Sequence, residues 1–471
     1  MRRGCFCKIG DECRVTHTCQ VIEARPLRVI VPNMSPESTP SRLARLPIFY
    51  GWIIVAAAFV TMAIGVNART AFSLLFPPIL DEFGWDRASV AGIFSFGFFM
   101  SALVAPFVGR MVDLKGPRLV VEAGVIALIA GMCLATFARE VWQFYATLGV
   151  LVGIGGNLVG YGVQSVFLPN WFVRRRGLAI GIAFSGVGIG SILLLPWMQL
   201  VIARDGWRWA CLGLALITAA LLIPLNLLLR RRPQDLGLHP DGDAAPTEAS
   251  KRAAARNIVD PAWTSVTWTL ARAMRTARFW WIAFGYFAIL YAWYAVQIHQ
   301  TKYLIEIGVS PMQAAWALGI VSLVGIPGQI IFGHLSDRIG REWAWAIGCL
   351  GFMICFAALI ALRAGANPVL LYTMIIAQGF LGYSSTSVLG PIVAEIFEGP
   401  HFGSVFGTLM VFAISGGAVG PWITGLLHDH LGNYDLAFWI ALGFSALSAL
   451  AIFIAAPRKV RLVAGRMPKT E

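Results

Sequence analysis

Charge is scarce in this chain. Of its 471 residues 13% are charged and 58% hydrophobic, whereas a soluble globular protein carries about 25% charged residues. Mean hydropathy is +0.71. A water-soluble body is therefore excluded for most of the sequence. Catalytic signatures are missing too. There is no Gly-x-Ser-x-Gly elbow, no His-Glu-x-x-His pair, no Gly-x-x-x-x-Gly-Lys phosphate loop and no Cys-x-x-Cys redox pair. Hydrolase, zinc-enzyme and ATP-driven chemistry thus have no sequence support, and neither an enzyme nor a cofactor is expected. Ten-residue alternating segments, the mark of a membrane barrel, do not occur. Residues 1–33 contain no apolar h-region, so they are not a signal peptide.

What is present is long apolar sequence. Runs of about 20 residues recur, each able to cross ~30 Å of hydrocarbon. Twelve are read, at roughly 50–80, 88–110, 117–137, 142–168, 177–203, 207–229, 279–305, 311–336, 343–362, 368–392, 402–427 and 434–456. Each is expected to be a helix, because a segment in lipid must satisfy its own backbone hydrogen bonds. The fold class is all-α integral membrane with twelve transmembrane helices. A formal charge of +13 suggests nucleic acid at first sight, but about thirty of the 37 Lys and Arg fall on one side of these spans. Arg87, Arg139, Arg204, Arg208, Lys302 and Arg363 fall on the other, and Arg69 lies within a span. That is the positive-inside bias of a multi-pass protein with both termini in the cytoplasm. The expected surroundings are a lipid bilayer, the cell's inner (plasma) membrane, and nucleic acid is not an expected partner.

Polar stretches divide the chain. Residues 1–47 read as a cytoplasmic tail, 48–229 as a first six-helix half, 230–278 as a basic cytoplasmic linker, 279–456 as a second half and 457–471 as a cytoplasmic tail. Met34 opens a normal polar lead-in, so residues 1–33 read as an extension from an upstream start. Cys5, Cys7, Cys13 and Cys19, with His17 between, match no common zinc spacing, and no metal is expected. Cys133, Cys211, Cys349 and Cys355 sit in spans as small packing residues. The linker after Pro261, with Trp263, Trp268 and Arg272, has the makings of an amphipathic surface helix.

The two halves share sequence. Gly109-Arg110-Met111-Val112-Asp113-Leu114-Lys115-Gly116-Pro117-Arg118 returns 224 residues later as Gly333-His334-Leu335-Ser336-Asp337-Arg338-Ile339-Gly340-Arg341. Gly177, Gly181 and Gly190 of the fifth span return 226 residues later as Gly403, Gly407 and Gly416 of the eleventh. Small residues on one face let helices approach closely in lipid. Related halves around a central site are how many secondary transporters are built.

The paired Gly-x-x-x-Asp-x-x-Gly-x-Arg loops, with Gly416-Gly417-Ala418-Val419-Gly420-Pro421, resemble the major facilitator superfamily over about residues 48–457. Within it, Tyr50-Gly51-Trp52, Trp171-Phe172-Val173-Arg174-Arg175-Arg176-Gly177 and Gly425-Leu426-Leu427-His428-Asp429 look like the monocarboxylate/oxalate–formate branch. The resemblance implies two pseudo-symmetric halves, one complete pathway per chain (a functional monomer), and loops that latch one conformation and release in the other. The gating residues are then Gly109, Asp113, Gly116, Arg118, Gly333, Asp337, Gly340 and Arg341, each Asp either accepting bonds from a nearby helix N-terminus or pairing with Arg, Asp113 with Arg118 and Asp337 with Arg341. The alternative is a pair of solvated charged turns, each worth under about 1 kcal/mol. Members of the branch often carry a basic residue in span eight or eleven. Here those spans are apolar and small-polar, which moves an anion site elsewhere.

An ionisable group deep in a span is costly and usually functional. Arg69, near the middle of span one, is the clear case; its planar fork suits a carboxylate. A structural Arg bonded to backbone carbonyls is the competing reading. No Asp or Glu lies equally deep, which disfavours a cation exporter. Asn157, Tyr161 and Gln164 fall at i, i+4 and i+7, on one face of span four, either lining a cavity or bonding a neighbouring helix. Tyr294, Gln297, Gln329, Gln378 and Tyr383 complete the candidate substrate residues. His299 is the proton-coupling candidate, with a bland interfacial role equally open. Together these predict a secondary transporter of a small organic anion, a monocarboxylate, working by alternating access with proton coupling or exchange. An exporter of neutral or amphipathic compounds is the alternative, and a membrane solute sensor an alternative of another class.

Overall fold

The computed structural model describes residues 49–85, 87–242, 257–363, 365 and 367–466. The N-terminal cysteines with His17, and linker residues 243–256, lie outside the described residues. Eleven helices among the described residues are long and apolar enough to cross a membrane. They are α1 (Tyr50–Phe76), α2 (Arg87–Lys115), α3 (Pro117–Ala135), α4 (Val141–Asn170), α5 (Arg176–Asp205), α6 (Trp207–Asn226), α7 (Ala277–Glu306), α8 (Pro311–Ile339), α9 (Arg341–Leu362), α11 (Phe402–Leu431) and α12 (Asp435–Ala455). The tenth apolar run, α10 (368–396), is assembled from short pieces. Pro368–Ile376 and Leu389–Ile396 are α-helical, and between them lie a π-turn, Ala377–Leu381, and a 3₁₀ stretch, Gly382–Val388.

The break in α10 has a local cause. Ser384, Ser385 and Thr386 each donate a hydroxyl hydrogen bond to the carbonyl three residues back. Such local bonds compete with the α-helical ladder, and an i→i+3 geometry is the 3₁₀ alternative. The matching helix of the first half is broken at a similar place. In α4 a π-turn spans Tyr145–Leu151, and Gly160 is extended (φ −82°, ψ −165°). Asn157 and Tyr161 therefore lie on opposite sides of a break, and the expected continuous stripe through Gln164 is interrupted.

Packing is mostly within halves: α1 on α5, α3 on α4 and α6, α7 on α11 and α12, α9 on α12. Two extensive contacts join the halves, α8 on α5 and α11 on α2. Pro106, Pro196, Pro327 and Pro421 lie inside these four helices, where a missing N–H favours a bend. The linker after Pro261 does not form one amphipathic helix. It makes two short turns, Pro261–Thr264 and Leu270–Met274, the second capped by Thr269. Trp263 and Trp268 pack together (4.4 Å between centroids) and against Phe397, and Trp263 Nε1 donates to Ile396 O. The aromatic face that suggested a lipid surface is thus satisfied by the end of α10. The face that carries both ends of the described chain is called the terminal face below.

Candidate functional site

The duplicated loops lie at the terminal face, and each reaches across to the other half. The Asp113 carboxylate, at the end of α2, accepts from the backbone N–H groups of Gly403 and Ser404, both at 2.9 Å, in the first turn of α11. Asp337, at the end of α8, accepts from Gly177 and Leu178 at 3.0 and 3.2 Å, in the first turn of α5. A helix N-terminus leaves such amides without intrahelical partners and carries a partial positive charge, so a carboxylate there is favourable on both counts. Close approach makes the reach feasible. A Cβ on Gly109 would meet Gly403 O at 1.9 Å, and one on Gly333 would meet Gly177 O at 2.4 Å. Gly116 (φ 82°, ψ 167°) and Gly340 (φ 107°, ψ 153°) reverse the chain in a backbone region reserved for glycine. Both loops are therefore built by the same three demands on sequence: one glycine for contact, one carboxylate for capping, one glycine for the turn.

Their arginines differ. Arg341 is 2% exposed and ion-paired at 2.7 Å with both Asp337 and Glu395. Its Nη1 also donates to Ser336 Oγ. A buried charge needs such full pairing to be tolerated. The expected Asp113–Arg118 pair does not form: Asp113 is occupied by α11 amides, and Arg118 acts electrostatically on Glu122, one turn along α3. Glu395 pairs with Arg341 and Arg176 lies beside the same cluster, although sequence reasoning left both out. The signals were Glu395 near a span end and Arg176 closing a run of three arginines.

Deeper in the bundle, Arg69 of α1 lies over the Phe98 ring, 3.5 Å from its centroid, with Phe94 at 5.9 Å. Gly156 of α4 makes room for its stem, since a Cβ there would sit 3.3 Å from Arg69 Cδ. The Nη2 atom is buried and has no hydrogen-bond partner. A cation on an aromatic face is stabilised by about 0.5–2 kcal/mol, far below what removing it from water costs. The guanidinium thus retains unmet capacity for an anion. Tyr294 of α7 packs edge-on to Phe98, the ring that Arg69 covers. Helices α1, α2 and α7 therefore meet at the guanidinium, and α10 joins α7 one turn along. Tyr383 donates to Gln297 Oε1 (2.9 Å) and stacks on Trp293 (4.2 Å). Gly417 and Gly325 lie under the Tyr294 and Tyr383 rings, where a Cβ would come within 2.7 and 2.6 Å. Phe98 and Trp293 were missed as members because aromatics in an apolar helix carry no distinguishing pattern. Next to Arg69 a void of about 20 Å³ runs to Phe72, Met132, Met198 and Leu214, room for roughly one water.

The other candidates are scattered. Asn157 Nδ2 donates to Ser101 O of α2 (2.9 Å). Gln164 is buried, donates to Val159 O, and leaves its Oε1 unpartnered. Gln329 is buried where α8 crosses α5, its carbonyl accepting from Ser387. Gln378 is buried in the π-turn of α10, both amide atoms without partners. His299 Nε2 lies 3.0 Å from Pro421 O at the α11 proline, so it pins α7 to α11.

Comparison with known proteins agrees with this architecture. The family model described as Major Facilitator Superfamily matches residues 53–389 and 282–469. The chain is 26% identical over 411 residues to a protein named monocarboxylate transporter 13 of Rattus norvegicus, covering 87% of this chain and 89% of that one. It is 28% identical over 419 residues to monocarboxylate transporter 12 of the same species, covering 84% and 83%. Among solved structures, the proton:xylose symporter XylE superposes with a TM-score of 0.66 at 14% identity, covering 86% of this chain and 95% of that one. The human organic anion transporter MFSD10 gives 0.63 at 15%, covering 86% and 99%. With paired carboxylate caps between its halves, a shared helical architecture and a family model matching most of its length, this chain belongs to the Major Facilitator Superfamily of membrane transporters.

Proposed function

We propose that the chain moves a small monocarboxylate across the membrane by alternating access, with proton coupling or exchange. The observation that carries this reading is Arg69, a guanidinium inside a membrane span whose Nη2 is buried and unpartnered. An intramembrane cation in that condition is a binding group for an anion. One planar fork matches one carboxylate, and relatives covering most of the chain are named monocarboxylate transporters. Tyr161, Tyr294 and Tyr383 supply hydroxyls around that charge, and Gln297 orients Tyr383. The carboxylate displaces the Phe98 ring as the guanidinium's partner. The terminal face is cytoplasmic and is closed in this conformation by the Asp113 and Asp337 caps. Substrate loading from the far side, release of both caps and rocking of the halves complete the cycle, one chain sufficing. His299 and the carboxylate itself are the candidate proton carriers, in an inner (plasma) membrane.

The test is uptake into proteoliposomes under an inward proton gradient, using labelled lactate, pyruvate, formate and oxalate with a neutral solute as control. Saturable uptake of a monocarboxylate that collapses when the gradient is dissipated supports the reading. Flux of the neutral solute alone, from inserted and folded protein, removes the carboxylate from it.

A further inference from the structure

After α12 the chain stays against the protein. Pro457–Lys459 turn, and the residues that follow lie antiparallel to linker residues 257–260. Val259 N–H donates to Val460 O (2.9 Å), and Leu462 N–H to Asn257 O (2.7 Å). Val460 and Val463 are buried. Arg458 donates its backbone N–H to Glu342 Oε1 at 2.9 Å and its Nη1 to the same oxygen at 3.3 Å. Gly465 lies on the backbone of Arg338, where a Cβ would come within 2.5 Å of Cα. This segment therefore runs beneath the α8–α9 turn, the turn that holds Asp337 and Arg341.

One tie leads from it to the other half. Glu398, between α10 and α11, accepts from Arg176 Nη2 through Oε1 at 3.1 Å and pairs with Arg461 through Oε2. Arg176 is the first residue of α5, and the next two amides are those held by Asp337. The carboxylate gives one oxygen to each guanidinium, so it bridges them and neither displaces the other. A β-bridge to Ile258 fixes the Arg461 backbone, its side chain is 15% exposed and pairs through Nη1, and its buried Nε has no hydrogen-bond partner. Burial, with the Arg176 charge nearby, lowers its pKa to about 10, leaving it charged at neutral pH. An anchored cation at this point holds Glu398 where Arg176 can reach it.

We propose that residues 457–466 form a C-terminal strap that holds the α5–α8 latch shut through Arg461, Glu398 and Arg176, and so sets how often the terminal face opens. The idea rests on the alternating-access reading above. Hydrogen exchange of the full chain, read by mass spectrometry in lipid nanodiscs, tests it. Three variants are compared with wild type: Arg461→Ala, Glu398→Gln and Asp337→Asn. Glu398→Gln removes the charged tie while leaving the strap's strand pairing intact, which guards against simple unravelling. The strap predicts about fivefold faster exchange at Gly177 and Leu178 in both Arg461→Ala and Glu398→Gln, the scale of one partly exposed ion pair. In Glu398→Gln, residues 257–260 stay as protected as in wild type. Unchanged exchange at Gly177 and Leu178 in both variants, with acceleration in Asp337→Asn, overturns the strap and leaves the latch standing. No acceleration in Asp337→Asn either overturns the latch reading together with the strap.

Discussion

Residue scale is where the sequence speaks most plainly and also stops soonest. Arg69 is conspicuous because a guanidinium in an apolar span has no inexpensive reason to be there. Its actual neighbours, the Phe98 face and Tyr294, are set by which helices meet, and that is invisible in a single chain of apolar residues. Geometry makes Arg69 specific in kind as well as in charge. A lysine ammonium is a compact point charge with no planar fork, so Arg69→Lys should retain binding at about a tenth of wild-type affinity or less, and Arg69→Ala should abolish it; equal affinity for Lys and Arg in a binding titration would show that only charge matters. Glycines provide a second prediction. Gly109→Ala forces a Cβ to within 1.9 Å of Gly403 O, whereas nothing lies within 4 Å of a Cβ at Gly443. Overpacking of this sort costs about 1–3 kcal/mol. Melting in detergent should therefore fall for Gly109→Ala and stay within error for Gly443→Ala, and matching curves would contradict the close approach of α2 and α11.

At the scale of elements, the duplication of the loops was legible, but their partners were only half legible. Sequence offers each Asp either a nearby helix N-terminus or its neighbouring arginine, Asp113 with Arg118 and Asp337 with Arg341. The structure gives both carboxylates to helix N-termini, and only the packed bundle reveals that these belong to the opposite half. Only the second loop keeps its arginine, because Glu395 is there to complete the buried cluster. Unequal energetics follow. Arg341→Ala leaves Asp337 and Glu395 buried without their cation, a loss of about 3–5 kcal/mol. Asp113→Asn removes a capping charge worth about 0.5–2 kcal/mol. A thermal-shift comparison should rank Arg341→Ala well below Asp113→Asn; the reverse order would sink the assignment of the buried cluster. Helix α10 shows the other limit of pattern reading. Its hydropathy announces a span, while the Ser384–Thr386 hydroxyls, which bend the backbone, look in sequence like ordinary packing residues.

For the whole molecule, the architecture was readable from length, charge distribution and repeat alone, because lipid leaves a spanning chain few options. The reading missed how the halves meet, which depends on close glycine contacts between them, Gly109 with Gly403 and Gly177 with Gly333, and on a tail that the span pattern treats as free. Two caps joining α2 to α11 and α8 to α5 should act as one gate. Asp113→Asn and Asp337→Asn should each raise modification of a cysteine introduced at Ser404 by a water-soluble maleimide, and the double variant should exceed either alone. No change in the double variant would mean that the terminal face is held by apolar packing and not by the caps.

The central claim is that a monocarboxylate is held by Arg69, and exchange across a membrane with no gradient tests it most directly. Proteoliposomes preloaded with unlabelled lactate or pyruvate would be diluted into the labelled compound, for wild type and Arg69→Ala, with insertion verified for both. The account predicts saturable exchange in wild type and its loss in Arg69→Ala. Exchange at wild-type rates in Arg69→Ala would contradict it and return Arg69 to a structural role over Phe98.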